Sequence, residues 1–127
     1  MKILKTGIII SAFILSSTAA FAASTGSGNF AGVSGHKTTG TVTVSKSGGK
    51  ITVTLGESFS FDGAPDPYVA LGKGIQPVPG GLLQILKNNT GSQTYSISAK
   101  SLDLEQVNSV VIWCKKYAVP LGVAKLE

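Results

Sequence analysis

Polar and apolar residues alternate along two neighbouring stretches of the chain. Residues 41–44 read Thr-Val-Thr-Val, and residues 51–55 read Ile-Thr-Val-Thr-Leu. A period of two places one side of each stretch in a core and the other toward water, as in a β-strand. Ser47-Gly48-Gly49 lies between the stretches, where glycines favour a tight turn. The pattern therefore predicts a β-hairpin.

Short β-like runs continue to the end of the chain, and Gly, Pro and Asn clusters separate most of them. They cover residues 59–61, 68–71, 82–86, 94–97, 110–114, 116–121 and 123–126. Many short strands with frequent turns predict an all-β fold, a small antiparallel β-sandwich or barrel-like single domain over residues 30–127. The one helical candidate is residues 101–107, whose acidic residues suit a first helical turn. Glycines and prolines between residues 72 and 81 predict a long loop.

The first 29 residues do not share this pattern. Lys2 and Lys5 precede a short apolar run over residues 8–15, and Ala20-Phe21-Ala22 is a typical cleavage site. We expect residues 1–22 to be a signal peptide, because the run is too short to span a membrane. The protein is then exported to the periplasm or outside the cell. Residues 23–29 lack an apolar pattern and predict a flexible lead.

Charge and composition exclude several classes of function. The 127-residue chain has eleven Lys, no Arg and six acidic residues, for a net charge of +5. The lysines are scattered rather than clustered with aromatic residues, so no nucleic-acid partner is expected. One Cys and one His cannot build a zinc, blue-copper or iron–sulfur site. No G-x-S-x-G motif or catalytic triad is apparent, and we do not expect a stand-alone enzyme.

The single cysteine lies in the run Val110-Val111-Ile112-Trp113-Cys114. Strand alternation puts Val110, Ile112 and Cys114 on one face. Two interpretations stay open. Cys114 is either a small buried residue of the core, or a reactive thiol or cofactor ligand, with Lys115 and Lys116 favouring its thiolate.

Three segments resemble the DM-thirteen domain family. Residues 109–123, which include Trp113-Cys114 and then Tyr117, Val119 and Gly122, are similar to its terminal signature. Residues 59–68 (Phe-Ser-Phe-Asp-Gly-Ala-Pro-Asp-Pro-Tyr) resemble its Pro-Asp segment, and residues 35–42, beginning Gly-His, resemble its opening. The matches occur in family order and span residues 28–127. Leu121 departs from the family pattern, which has an aromatic residue there.

The resemblance implies an electron-transfer domain, a type often found beside DOMON domains. In that family the cysteine is described as a bare thiol or a haem ligand. By this resemblance Cys114 is the candidate redox thiol. Cys114 and His36 are candidate haem ligands, although a lone His in a glycine-rich loop also suits a structural role. A redox protein is the expected partner. The alternatives are a non-catalytic secreted binding module with a buried structural cysteine, and an accessory protein that forms a mixed disulfide.

Four more residues have two interpretations each. Asp62 and Asp66, around Pro65, predict a turn, with a cation or partner site as the alternative. Trp113 is expected to anchor the core. The alternative is that Trp113 and Tyr117 line an electron path or stack on a porphyrin.

Overall fold

The computed structural model describes residues 23–127, which form ten β-strands and two short 3₁₀ helices. The strands are β1 (Ala23–Gly32), β2 (Thr38–Thr39), β3 (Thr41–Ser47), β4 (Lys50–Leu55), β5 (Ser60–Phe61), β6 (Pro67–Lys73), β7 (Gln76–Ile85), β8 (Gln93–Ser98), β9 (Ser109–Cys114) and β10 (Val119–Lys125). The 3₁₀ helices cover Ala99–Ser101 and Leu104–Gln106. The expected signal peptide, residues 1–22, lies outside the described residues. No helix in the described part is long and apolar enough to cross a membrane.

Eight strands form one antiparallel sheet in the order β7-β6-β9-β10-β1-β3-β4-β8. The sheet curls until it is nearly closed into a barrel, and β7 lies against β8. The remaining strands, β2 and β5, pair as a separate small sheet. The predicted all-β, barrel-like fold is therefore confirmed.

The hairpin expected around Ser47-Gly48-Gly49 joins β3 to β4. Ser47 pairs with Lys50, and Val44 pairs with Val53. Gly48 and Gly49 both have positive φ, 59° and 79°, which a two-residue turn between twisted strands requires.

The flexible lead predicted over residues 23–29 is wrong, because these residues form most of β1. Ser27 pairs with Thr43 of β3, and the main-chain ladder needs no apolar side chains. Gly28 lies so close to β10 that a Cβ there would overlap the carbonyl of Lys125. The Ser- and Gly-rich composition thus reflects close packing of strands.

Two other local predictions differ from the structure. The helix expected over residues 101–107 is replaced by the two 3₁₀ turns, because Leu102 between them is extended (φ −152°, ψ 167°). The loop expected over residues 72–81 is instead a hairpin of β6 and β7, which turns at Gly74 (φ 62°). Prolines are tolerated there because β7 is an end strand of the sheet.

The barrel interior is filled by aliphatic and aromatic side chains. Its largest fully buried members are Tyr95, Phe59, Ile51, Leu55, Leu71, Ile112 and Leu121. Each large aliphatic side chain that leaves water contributes about 1.5–3 kcal/mol to folding. Strand β9, between β6 and β10, carries Val110, Ile112 and Cys114 into this interior. The predicted face of the Cys114 strand is confirmed.

Candidate functional site at Cys114 and His36

Cys114 ends the central strand β9 and is almost completely buried. Its side chain belongs to the core cluster and is 1% exposed. The thiol donates a hydrogen bond to the carbonyl oxygen of Pro65, with 3.2 Å between Sγ and oxygen. The sulfur therefore faces the polypeptide rather than solvent.

Pro65 belongs to a segment that crosses the end of β9. We call residues 62–66 the covering segment. Next to the thiol, the amide of Lys115 donates to the carbonyl of Asp66 at 3.1 Å, and Pro67 pairs with Cys114 across the sheet. Asp66 has a positive φ of 55°, which turns the chain from the covering segment into β6. Main-chain bonds thus fix the covering segment beside the sulfur.

The other end of the covering segment is held by His36. The imidazole Nδ1 lies 2.8 Å from Oδ1 of Asp62. A carboxylate only accepts hydrogen bonds, so Nδ1 carries the proton. Oδ2 of Asp62 accepts from the amide of Lys37 at 2.9 Å, and the His36 ring packs 5.7 Å from the ring of Phe61. Asp62 is clamped by these contacts although its side chain is exposed.

These contacts change the acidity of Asp62. The hydrogen bond from His36, followed by the one from the Lys37 amide, holds the pKa of the Asp62 carboxyl below its ordinary value of 3.8. Asp62 is consequently ionised at neutral pH and able to hold His36.

The structure therefore places both sequence-predicted residues against one segment. Cys114 binds its Pro65 end and His36 binds its Asp62 end. Among the described residues no hydrogen bond joins Cys114 to His36 directly. Where the sequence predicted a turn at Asp62 and Asp66, the structure shows only a bend at residues 65–66. The Asp62 side chain bonds to His36 and Lys37, which precede β2, rather than capping a turn of its own.

A haem held between Cys114 and His36 does not fit this arrangement. Iron ligation needs an accessible sulfur and a wide apolar pocket, whereas Sγ is buried against Pro65. Three clefts on the surface are lined by residues other than Cys114 and His36. Within residues 23–127 no group of three or more His, Cys, Asp or Glu side chains could hold a metal ion.

Two aromatic residues of the sequence prediction lie elsewhere. Trp113 points to the outside of the barrel and is half-buried, so the expected core anchor is wrong. It pairs with Tyr68 on β6, a residue that sequence reasoning did not single out for function. Tyr117, in the turn after β9, is 60% exposed.

A family model described as electron transfer DM13 matches residues 29–126. The chain belongs to the DM13 family. The match covers nearly all of the described residues, and it confirms the resemblance carried by the His36, Asp62 and Cys114 segments. Comparisons with curated proteins and with solved structures gave no significant match.

Proposed function

We propose that the chain is an exported electron-transfer protein in which Cys114 is the redox group, a thiol protected by the covering segment. The observation that carries the proposal is the bond from this thiol to Pro65, on a segment whose far end is tied down at the surface. A segment anchored by exposed contacts opens at a lower free-energy cost than a core strand. Local opening exposes the sulfur while the barrel stays folded.

Thiol–disulfide exchange is the chemistry that a lone thiol supports. Cys114 loses its proton to water, and the thiolate attacks one sulfur of a disulfide on a partner protein. A bond forms between the two sulfurs, the partner's disulfide breaks, and its other sulfur leaves as a thiolate. The chain has one Cys, so a second thiol must come from a partner to resolve the mixed disulfide. In this scheme His36 is a positioning residue that acts through Asp62.

A second candidate function is a secreted binding module with a structural cysteine. The burial of Cys114 among core side chains favours it. This candidate requires that the thiol react only when the whole barrel unfolds.

Reaction with an aromatic disulfide reagent distinguishes the two. The proposal predicts that the folded mature chain releases one reagent thiolate per molecule, more slowly than in denaturant, and that Cys114→Ser releases none. A folded chain that stays unreactive while the denatured chain reacts to completion overturns the proposal in favour of the binding module. A Soret band in the protein isolated from the periplasm overturns it in favour of haem.

Export is tested separately by the mass of the mature protein. We expect residues 1–22 to be removed and the exported chain to begin at Ala23. An intact chain that retains Met1 and stays in the cytoplasm contradicts export.

A further inference from the structure

The outer face of the barrel carries an unusual row of apolar side chains beside Cys114. Cross-strand pairing joins Ile85 to Tyr68, Tyr68 to Trp113, and Trp113 to Pro120, across β7, β6, β9 and β10. Val69, the neighbour of Tyr68 on β6, faces the core. Because side chains alternate along a strand, Tyr68 faces outward, and so do the three residues that pair across the sheet in line with it. We call them the aromatic row.

The aromatic row is accessible to another molecule. Ile85 is 51% exposed, and Tyr68, Trp113 and Pro120 are half-buried. Tyr117, in the turn that joins β9 to β10, is also exposed. Ala70 and Val111, the next pair across β6 and β9 on the side away from the core cluster, are fully buried and add nothing to the exposed surface. Contiguous apolar surface of this kind marks an interaction site more often than scattered apolar residues do.

The charges around the row are mainly positive. Lys115 Nζ lies 5.2 Å from the centre of the Tyr68 ring, and Lys116 Nζ lies 5.4 Å from that of Tyr117. None of the six acidic residues, all within the described part, lies on β6, β7, β9 or β10. Asp66, just before β6, is the acidic residue at the border. The face therefore complements an apolar surface with an acidic rim.

We propose that the aromatic row, with its lysines, is the docking face for a protein partner whose surface is apolar at the centre and acidic around it. Trp113 directly precedes Cys114 in the chain. Tyr68 directly follows Pro67, the residue that pairs with Cys114 across the sheet. A partner on this face lies as close to the candidate thiol as the outer wall allows. Only the redox character of the partner rests on the proposed function.

Two other occupants suit the face less well. A second copy would bring this positively charged patch, with Lys115 and Lys116, against an identical positively charged patch, because a two-fold interface uses the same surface of both copies. A lipid surface is less suited, since Tyr68, Trp113 and Pro120 lie flush in strands rather than on a protruding loop. Electron-transfer complexes are typically small, below about 1,200 Å² of total buried surface, which a face of this kind can supply.

Site-specific photo-cross-linking in the producing cells tests the face. Benzoylphenylalanine replaces Tyr117 in one variant and the exposed Thr43 of β3, across the barrel from β6 and β9, in the control. The proposal predicts one protein adduct from position 117 that is absent at position 43. The same adducts at both positions, an adduct with a second copy or with lipid, or no adduct at position 117 overturns it.

The captured protein is then identified by mass spectrometry, purified and titrated against variants. Lys116→Glu and the double variant Ile85→Thr/Tyr117→Ser should each raise Kd by at least about tenfold. The matched controls Lys50→Glu and Thr54→Ser, on the opposite wall, should leave Kd unchanged. Equal effects of Lys116→Glu and Lys50→Glu overturn the docking face.

Failure of the redox role remains distinguishable in this assay. Cys114→Ser should bind the partner as tightly as the original chain, even if thiol exchange proves absent. If Cys114→Ser keeps its fold but no longer binds the partner, the proposal that the outer wall provides the docking contacts is contradicted.

Discussion

The two ends of the covering segment are held in opposite ways. At one end the Cys114 thiol is buried in the core and donates to Pro65. At the other end Asp62 is exposed and is held by His36 and the Lys37 amide. The group with redox chemistry is thus protected by burial, while the contact that controls its protection lies at the surface. Stability and reactivity should therefore respond to different residues.

The largest contrast is expected in stability. Cys114→Ala should lower the free energy of unfolding by about 1–3 kcal/mol, because it leaves a cavity in the core and removes the donor to Pro65. His36→Ala should cost less, since the imidazole lies at the surface. Urea denaturation of the two variants measures the difference. A larger loss of unfolding free energy in His36→Ala than in Cys114→Ala would contradict the assignment of stability to the buried end of the covering segment.

The next contrast concerns the reactivity of the thiol. Asp62→Asn removes the charge that holds His36, so the covering segment should open more often. We expect the alkylation rate of folded Cys114 to rise about two- to fivefold, the effect of weakening one exposed hydrogen bond to a carboxylate. Iodoacetamide labelling followed by mass spectrometry gives the rate.

Asp103→Asn is the matched control for this measurement. Asp103 is also exposed, and its carboxylate accepts from the Glu105 amide, far along the chain from the covering segment. If Cys114 is alkylated at the same rate in both variants, the Asp62 carboxylate does not protect the thiol.

The smallest effect is expected in the acid range. The pKa of Asp62 is lower in the folded chain than its ordinary value of 3.8, so its contribution to stability is complete above that value. The contribution disappears as pH falls through the lower, folded-state pKa. Between pH 5 and pH 2.5 the original chain should therefore lose more stability than Asp62→Asn, as measured by urea denaturation. Added salt should reduce the difference, because the carboxylate is exposed.

Much of the barrel wall could be predicted from the sequence. Residues 41–44 and 51–55 alternate strictly because one face of β3 and β4 fills the interior while the other, with Thr43 and Thr54, faces water. The same rule correctly placed Cys114 on one face of its strand with Val110 and Ile112. It failed over residues 23–29, where backbone pairing and close approach of strands need small residues rather than alternation.

The connections of the candidate site could not be predicted in this way. His36 and Asp62 are 26 residues apart and meet because two-residue strands, β2 and β5, pair beside them. Strands so short leave no periodic signal. The acceptor for Cys114 is a backbone carbonyl, which any residue at position 65 would supply, so no side chain reveals it.

The most direct test of the account is the dependence of Cys114 alkylation on low concentrations of urea. Local opening exposes little surface, so its rate is nearly independent of urea, whereas global unfolding rises steeply with urea. We predict a flat dependence for the original chain and a flat but faster one for Asp62→Asn. A rate that rises steeply with urea and is unchanged by Asp62→Asn would show that the thiol reacts only through global unfolding. That result would contradict a redox role for Cys114 in the folded protein.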